Sequence, residues 1–274
     1  MAIDPKERGP LVPSDKTADR IASLYKAVDE AIANEINIAI ASGTLDQADY
    51  LRERQAAIRA LLQAAESQSA AATAIEIRNS YAASATAAVE ILRRAGVEII
   101  KEAFDDSDRK RIELLVENST VKFNDITQLV GRRTDDIFRQ VSIEQVTAGQ
   151  GLTRRELSAS LERAFNRAGV TRTGNGGIRL INVGGRNLQL SKYAELIART
   201  TPREAATYAT ISRVIENKRD LVTVSAHKNS CPICSPYDGN TYSLSGQDPK
   251  YPQLDRLVPF HPNCRHVLTP AAIF

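Results

Sequence analysis

All three cysteines and all three histidines of this 274-residue chain fall within its last 48 residues. They read His227, then Cys231-Pro-Ile-Cys234, then, after 26 intervening residues, His261-Pro-Asn-Cys264-Arg-His266. Chance does not gather the chain's scarce soft donors in one segment. The spacings Cys-x-x-Cys and His-x-x-Cys-x-His are those of two halves of one tetrahedral site, and Zn²⁺ suits mixed thiolate and imidazole donors best. Any fold of this chain must therefore bring two separated segments to one point. The competing reading is a buried cysteine pair beside unrelated histidines, with a Cys231 to Cys264 disulfide.

Six donors compete for four positions. Cys231, Cys234 and Cys264 are the expected thiolate ligands. His266 is the expected fourth, because the Cys-Arg-His step of an extended segment returns it to the side of Cys264. His261 is the alternate fourth ligand, or a packing residue behind the others. His227 lies outside the tight spacing and reads as a loop histidine. A closed four-ligand site staples the chain, whereas a catalytic site needs an open position and a carboxylate to handle metal-bound water. Asp238 is the nearest acid, but its Tyr-Asp-Gly-Asn setting reads as a turn. No His-Glu-x-x-His occurs, nor a His-x-Glu with Pro-Cys-x-x-Cys, so metalloprotease and deaminase readings fail. The expected metal is a structural zinc and no catalytic residue is assigned.

Apolar residues make up 42% of the chain, enough to bury a core. No run of about 18 apolar residues occurs, so no membrane span is expected. Met1 to Asp15 is polar and broken by Pro5, Pro10 and Pro13, without the apolar centre of a secretory signal. Charge is unevenly placed. Residues 1–150 carry 19 Lys and Arg against 24 Asp and Glu, while residues 151–220 carry 13 against 6. A basic segment suits nucleic acid or an acidic protein surface, with Arg154, Arg155, Arg163, Arg167, Arg199 and Arg203 as candidate contacts. The plainer reading is a solvated helix face.

The first half reads as successive helices. Ile21, Leu24, Tyr25, Val28, Ile32 and Ile36 keep helical spacing behind a cap at Ser14 or Thr17. After Gly43, Thr44 and Gln47 have capping-box spacing, and Leu51, Ile58 and Leu61 mark a second helix antiparallel to the first. Residues 64–104 are alanine-rich, with Gly96 as the weak point. A further helix is expected from Ser107, interrupted at Gly131 and recapped at Thr134. Gly149-Gln-Gly151 is the expected domain boundary. Beyond it, Thr153 and Glu156 form a capping box for a helix that stops at Gly169, and Gly184-Gly185 joins two strands as a hairpin. Ser191 caps a helix, Pro202 opens another, and Leu221 to Ser225 is a strand leading to the cysteine loop. Gly-Lys-Ser/Thr is missing after the glycines, so they are turns and not a phosphate loop.

The expected fold class is α+β: an elongated, mainly helical N-terminal half, then a small α+β domain with a zinc-knuckle-like C-terminal segment. Expected divisions are a flexible arm over 1–17, a helical docking region over 18–148 and the α+β domain over 152–274, with the Cys/His cluster at 227–266.

Ser230-Cys-Pro-Ile-Cys-Ser-Pro-Tyr-Asp-Gly, Tyr242-Ser-Leu-Ser-Gly, Tyr251-Pro and His261-Pro-Asn-Cys-Arg-His-Val-Leu-Thr-Pro270 resemble the tailed-phage minor capsid proteins. These are the Mu F-like head morphogenesis proteins, and the likeness is to the phage minor capsid protein 2 branch. Tyr193 to Ala205 is similar to the helix before the cysteine knuckle in that family. The resemblance covers about residues 190–270. It implies a low-copy virion protein, assembled in the host cytoplasm, lying inside the head near the portal. Portal or major capsid protein and packaged DNA are its implied partners, with no membrane and no small-molecule substrate. Relatives often end Cys-Arg-Cys where this chain has Cys264-Arg-His266, which implies a ligand at position 266. Some relatives carry a toxin domain after this motif; with Phe274 as the last residue, that activity is not expected here.

Arg199 and Arg203 fall in the matched helix, where they either fix the knuckle or meet DNA or portal. The competing class is an enzyme, a zinc-containing nuclease or an ADP-ribosyltransferase-like toxin. His261, Asn263 and His266 echo a His-Asn-His nuclease, but residues 267–274 are too few for its helix, and no glutamate of a transferase cleft can be placed.

Overall fold

The computed structural model describes residues 15–42, 47–147, 153–167, 171–172, 178–183 and 186–272. Five helices carry most of them: α1 (Asp15–Ser42), α2 (Gln47–Arg94), α3 (Asp106–Thr147), α4 (Arg154–Arg167) and α5 (Leu190–Glu216). Strands β1 (Thr171–Arg172), β2 (Ile178–Val183) and β3 (Arg186–Gln189) make one antiparallel sheet. Strands β4 (Leu221–Val224), β5 (Thr241–Ser243) and β6 (Leu268–Pro270) make another, with β4 in the middle. The α+β class is as the sequence reads. The chain forms two compact units, one of residues 1–17, 71–119 and 196–274 and another of 18–70 and 120–195, and the expected boundary at Gly149–Gly151 lies outside the described residues.

In the second of these units, α1 and the start of α2 run antiparallel. Arg54 donates to Glu35 at 2.9 Å, and Tyr25 lies near Ser69. The helical spacing seen in the sequence buries Ile21, Tyr25, Val28 and Ile32 of α1 with Leu51 and Ile58 of α2, where Leu62 is fully buried and the expected Leu61 only half-buried. The Tyr25 ring stacks on Phe123 of α3 with centroids 6.3 Å apart, and burial pushes its phenol up to about 12. Arg59 reaches Asp135 at 2.6 Å, so α3 returns along α2.

Two helix breaks expected from the sequence do not occur. Gly131 lies within α3, and Thr134 does not cap; its hydroxyl bonds back to the Val130 carbonyl at 2.8 Å. One glycine costs a helix only about 1 kcal/mol, less than is gained by burying Val130, Ile137, Phe138 and Val141 around it. Pro202 lies inside α5 rather than opening a new helix. Buried neighbours Thr201, Arg203 and Ala205 hold the helix on both sides of it. The capping box at Thr153 forms as read: the Glu156 carboxylate accepts from the Thr153 N–H at 2.9 Å, and the Thr153 hydroxyl accepts from the Glu156 N–H at 3.3 Å. Strands β2 and β3 pair from Val183 and Arg186 outward, as the expected hairpin requires. Ser14, Gly43, Thr44, Gly169 and Gly184-Gly185 lie outside the described residues.

The other unit holds the cluster. There Gly96 stops α2 two residues past its last helical residue, at a φ of +79° that suits glycine. Gly96 N–H bonds to the Arg93 carbonyl and Val97 N–H to the Leu92 carbonyl, both at 3.0 Å, the paired bonds of a Schellman end. Ala85, from the alanine-rich stretch of α2, packs in one buried group with Ala205 and Ala209 of α5. Beneath it, Arg213 and Asp108 form an ion pair at 2.8 Å, both essentially without solvent exposure, and Tyr81 donates to Asp108 at 2.7 Å. On the sheet side, Val214 of α5 shares a core with Val222, Val224, Tyr242, Phe260 and Leu268. The short strands β5 and β6 were not read from the sequence, because three residues carry too little alternation.

Candidate metal centre

Strand β4 carries the site from both sides. Its C-terminal end leads into His227 and the Cys231 turn, β5 follows that turn, and β6 begins two residues after His266. Ser225 N–H bonds to the Val267 carbonyl at 3.0 Å, and the Ser225 hydroxyl accepts from Val267 N–H at 3.0 Å. This zips the two donor segments together beside the strands.

Each segment folds into the same kind of turn. Cys234 N–H bonds to the Cys231 carbonyl at 3.0 Å, and Cys264 N–H bonds to the His261 carbonyl at 3.0 Å. Asn263 completes the second turn at a φ of +65°, a conformation that asparagine tolerates. The turns face each other. Cys231, Cys234 and His261 form one group of donors within 4.8 Å of one another, and Cys234, Cys264 and His266 form a second. All five sequence candidates are thus brought together, with Cys234 common to both groups. Sulfur to sulfur, Cys234 and Cys264 are 3.8 Å apart, and the cysteines are free thiols, so the expected alternative of a Cys231 to Cys264 disulfide does not form. His227 lies outside both groups; its Nε2 is 3.0 Å from the Ser225 hydroxyl, and its ring meets His266 edge to face.

The donor set fits a metal. His261 Nδ1 lies 2.6 Å from the Pro262 carbonyl, which fixes the proton there and leaves Nε2 facing Cys231 and Cys234 at 3.2 and 3.1 Å. Backbone N–H groups of Cys234 and Ile233 draw the Cys231 thiol down against the opposing effect of burial. Burial and the adjacent thiols push the Cys234 thiol up. Packing two sulfurs this closely is costly for bare thiolates, and a divalent cation removes that cost. Asp238, read as a turn residue, turns out to belong to the site. One of its oxygens accepts from His266 Nε2 at 2.7 Å, from the Ser230 hydroxyl at 2.9 Å and from the His227 N–H at 2.9 Å. Burial raises its pKa, but these bonds outweigh burial and hold the carboxyl below the usual range. No local signal in the sequence marks it, because its partner His266 lies on the far segment.

The candidate basic contacts are dispersed. Arg203 is buried, donating to the Cys264 carbonyl at 2.9 Å and to Asp15 at 2.7 Å. Arg199 reaches Asn263 at 3.3 Å and Asp15 at 3.3 Å. Both therefore grip the His261–Cys264 turn from α5. Arg163 and Arg167 are exposed and pair with Glu144 of α3 at 3.2 and 3.8 Å, and Arg155 is exposed. The side chain of Arg154 lies outside the described residues.

A mainly helical chain whose small C-terminal sheet carries two facing Cys/His turns is an α+β protein with a candidate metal centre. The family model described as phage minor capsid protein 2 matches residues 14–272, nearly the whole chain, and the chain belongs to that family. It is accordingly a phage minor capsid protein, a component of the virion. No curated protein matches the chain, and no solved structure does. No helix among the described residues is long and apolar enough to cross a membrane.

Proposed function

We propose that this chain is a low-copy structural protein of the phage head, lying in the head interior near the portal and acting in assembly or in DNA packaging and ejection. The observation that carries this reading is the family match over residues 14–272. Portal or major capsid protein is its docking partner, and packaged DNA is a further one, met by the exposed arginines Arg155, Arg163 and Arg167. The chain is assembled in the host cytoplasm and catalyses no reaction. Zinc bound by Cys231, Cys234, Cys264 and one histidine fastens the two donor turns, contributing folding free energy rather than chemistry. The disposition of Asp238 supports a closed site, since its hydrogen-bonded oxygen is committed to His266, Ser230 and the His227 N–H.

Two experiments test this. Quantitative mass spectrometry of purified particles should find the chain at a small fraction of the major capsid protein, and cross-linking should join it to portal. Absence from particles would overturn the head reading. Elemental analysis should find one zinc per chain, lost in Cys264→Ser and accompanied by a lower melting temperature after chelation. A metal-free chain with unchanged melting would overturn the staple.

A further inference from the structure

Five donors fall into two groups of three that share Cys234, a tetrahedral centre takes four, and the two histidines are held by different means. His261 is fixed by the carbonyl of its own neighbour, Pro262. His266 is fixed across the fold by Asp238, 28 residues away in the chain, at 2.7 Å, and is buried where His261 is partly exposed. With its Nε2 proton directed at a carboxylate, His266 presents the lone pair of Nδ1 to Cys264 at 3.6 Å.

The distances separate the two. Zinc bonds of about 2.3 Å to sulfur and about 2.0–2.1 Å to nitrogen, at tetrahedral angles, put two sulfurs about 3.8 Å apart and sulfur about 3.6 Å from nitrogen. Cys234 and Cys264 stand at 3.8 Å, and Cys264 and His266 Nδ1 at 3.6 Å. His261 Nε2 is 3.2 and 3.1 Å from its two sulfurs, too short for two edges of one tetrahedron. The Cys234–Cys264 and Cys264–His266 edges already have tetrahedral length, while Cys231 stands in the other group and closes the set from the opposite turn.

We propose that Asp238 is the positioning residue of this centre, acting through His266, whose Nδ1 is the fourth ligand beside Cys231, Cys234 and Cys264. The inference rests on the zinc reading above. A carboxylate behind a ligating imidazole fixes its tautomer and ring orientation and raises its basicity, and loss of such a partner typically costs 10–100-fold in metal affinity.

The test is zinc affinity of the full chain, measured by competition with a chromogenic chelator. Asp238→Ala should bind zinc 10–100-fold more weakly, with Asp238→Asn in between, since an amide oxygen still accepts the Nε2 proton. His266→Ala should lose affinity strongly and His261→Ala far less. The double variant Asp238→Ala/His266→Ala should be no worse than His266→Ala alone, as expected for a residue that acts through another. Nitrogen-15 spectra of the zinc-loaded native chain should show His266 protonated at Nε2. Circular dichroism of each zinc-loaded variant separates lost affinity from lost fold. Unchanged zinc affinity in Asp238→Ala, additive losses in the double variant, or a greater loss from His261→Ala would each overturn the proposal while leaving the staple intact. A native chain that binds no zinc would overturn both.

Discussion

Arg203 donates to the main-chain carbonyl of Cys264 at 2.9 Å, tying the middle of α5 to the turn that carries a candidate ligand. The guanidinium is buried and its other arm reaches Asp15 at 2.7 Å, so one side chain joins the start of α1, α5 and the cluster. Arg203→Met would leave the Cys264 carbonyl without this partner. A charged hydrogen bond lost in this way costs about 1.5–3 kcal/mol. Arg203→Lys should recover little, because a single ammonium cannot span both acceptors as the planar fork does. Chemical denaturation measures both; a loss below about 0.5 kcal/mol, the range of ordinary surface substitutions, would rule out the clamp.

The Arg213 and Asp108 pair predicts a larger effect. Removing Arg213 strands the Asp108 carboxylate in the core, and breaking buried pairs in this way costs about 3–5 kcal/mol, while removing Asp108 leaves Arg213 its second partner, Glu216 at 2.6 Å, and should cost less. Burial works to raise the Asp108 pKa, but hydrogen bonds from Arg213 and Tyr81 outweigh it and lower the value. A carboxyl lowered by folding contributes stability above its unfolded pKa of about 3.9 and loses it as pH falls through the folded value. The deficit of Asp108→Asn relative to the native chain should therefore be full at pH 6 and shrink in acid below about pH 4. A deficit that does not change with pH would show that the pair's charge is not what matters.

Asp29 of α1 should behave in the opposite sense. Burial pushes its carboxyl up to about 7, opposed by hydrogen bonds from the Ser191 backbone and side chain at the start of α5. A carboxyl raised by folding contributes stability that is full below its unfolded pKa and is lost as pH rises through the folded one. Ionising Asp29 thus destabilises the chain between about pH 4 and 7. Asp29→Asn should be stabilising relative to the native chain at pH 8, on the order of 2–4 kcal/mol, with the gain fading toward pH 4. Urea titrations of both chains at pH 4, 6 and 8 check this, and a difference independent of pH would refute the assignment.

What was legible in the sequence was local. The Thr153 and Glu156 box depends on residues within a few positions and formed as spacing implied, whereas Gly96, read only as a weak point in an alanine-rich stretch, proves to be the residue on which the helix stops. Five donors were legible as well, because their rarity and their pairing into turns are properties of short segments. Asp238 was not, since its role depends on His266 arriving from the other segment, while its own neighbours spell a turn. Arg203 was left open between a grip on the knuckle and an outside partner, and its burial beside Cys264 is a tertiary fact. The continuity of α3 and α5 through Gly131 and Pro202 has the same cause. Local preference weighs against both residues, and packing on either side of them overrides it.

Gly96, just beyond α2, and Gly131, within α3, turn that contrast into paired measurements of opposite sign. Gly96 has a φ of +79°, which costs an L residue about 1–2 kcal/mol, so Gly96→Ala should destabilise by about 1 kcal/mol although no atom crowds the new Cβ. Gly131 sits in regular helix, also with nothing within 4 Å of an added Cβ. Gly131→Ala should therefore stabilise by up to about 1 kcal/mol, through helix propensity and a less free unfolded chain. Thermal melts of the two single variants against the native chain give the signs directly. A destabilised Gly131→Ala would mean that α3 needs a flexible point there, restoring the break that the sequence suggested.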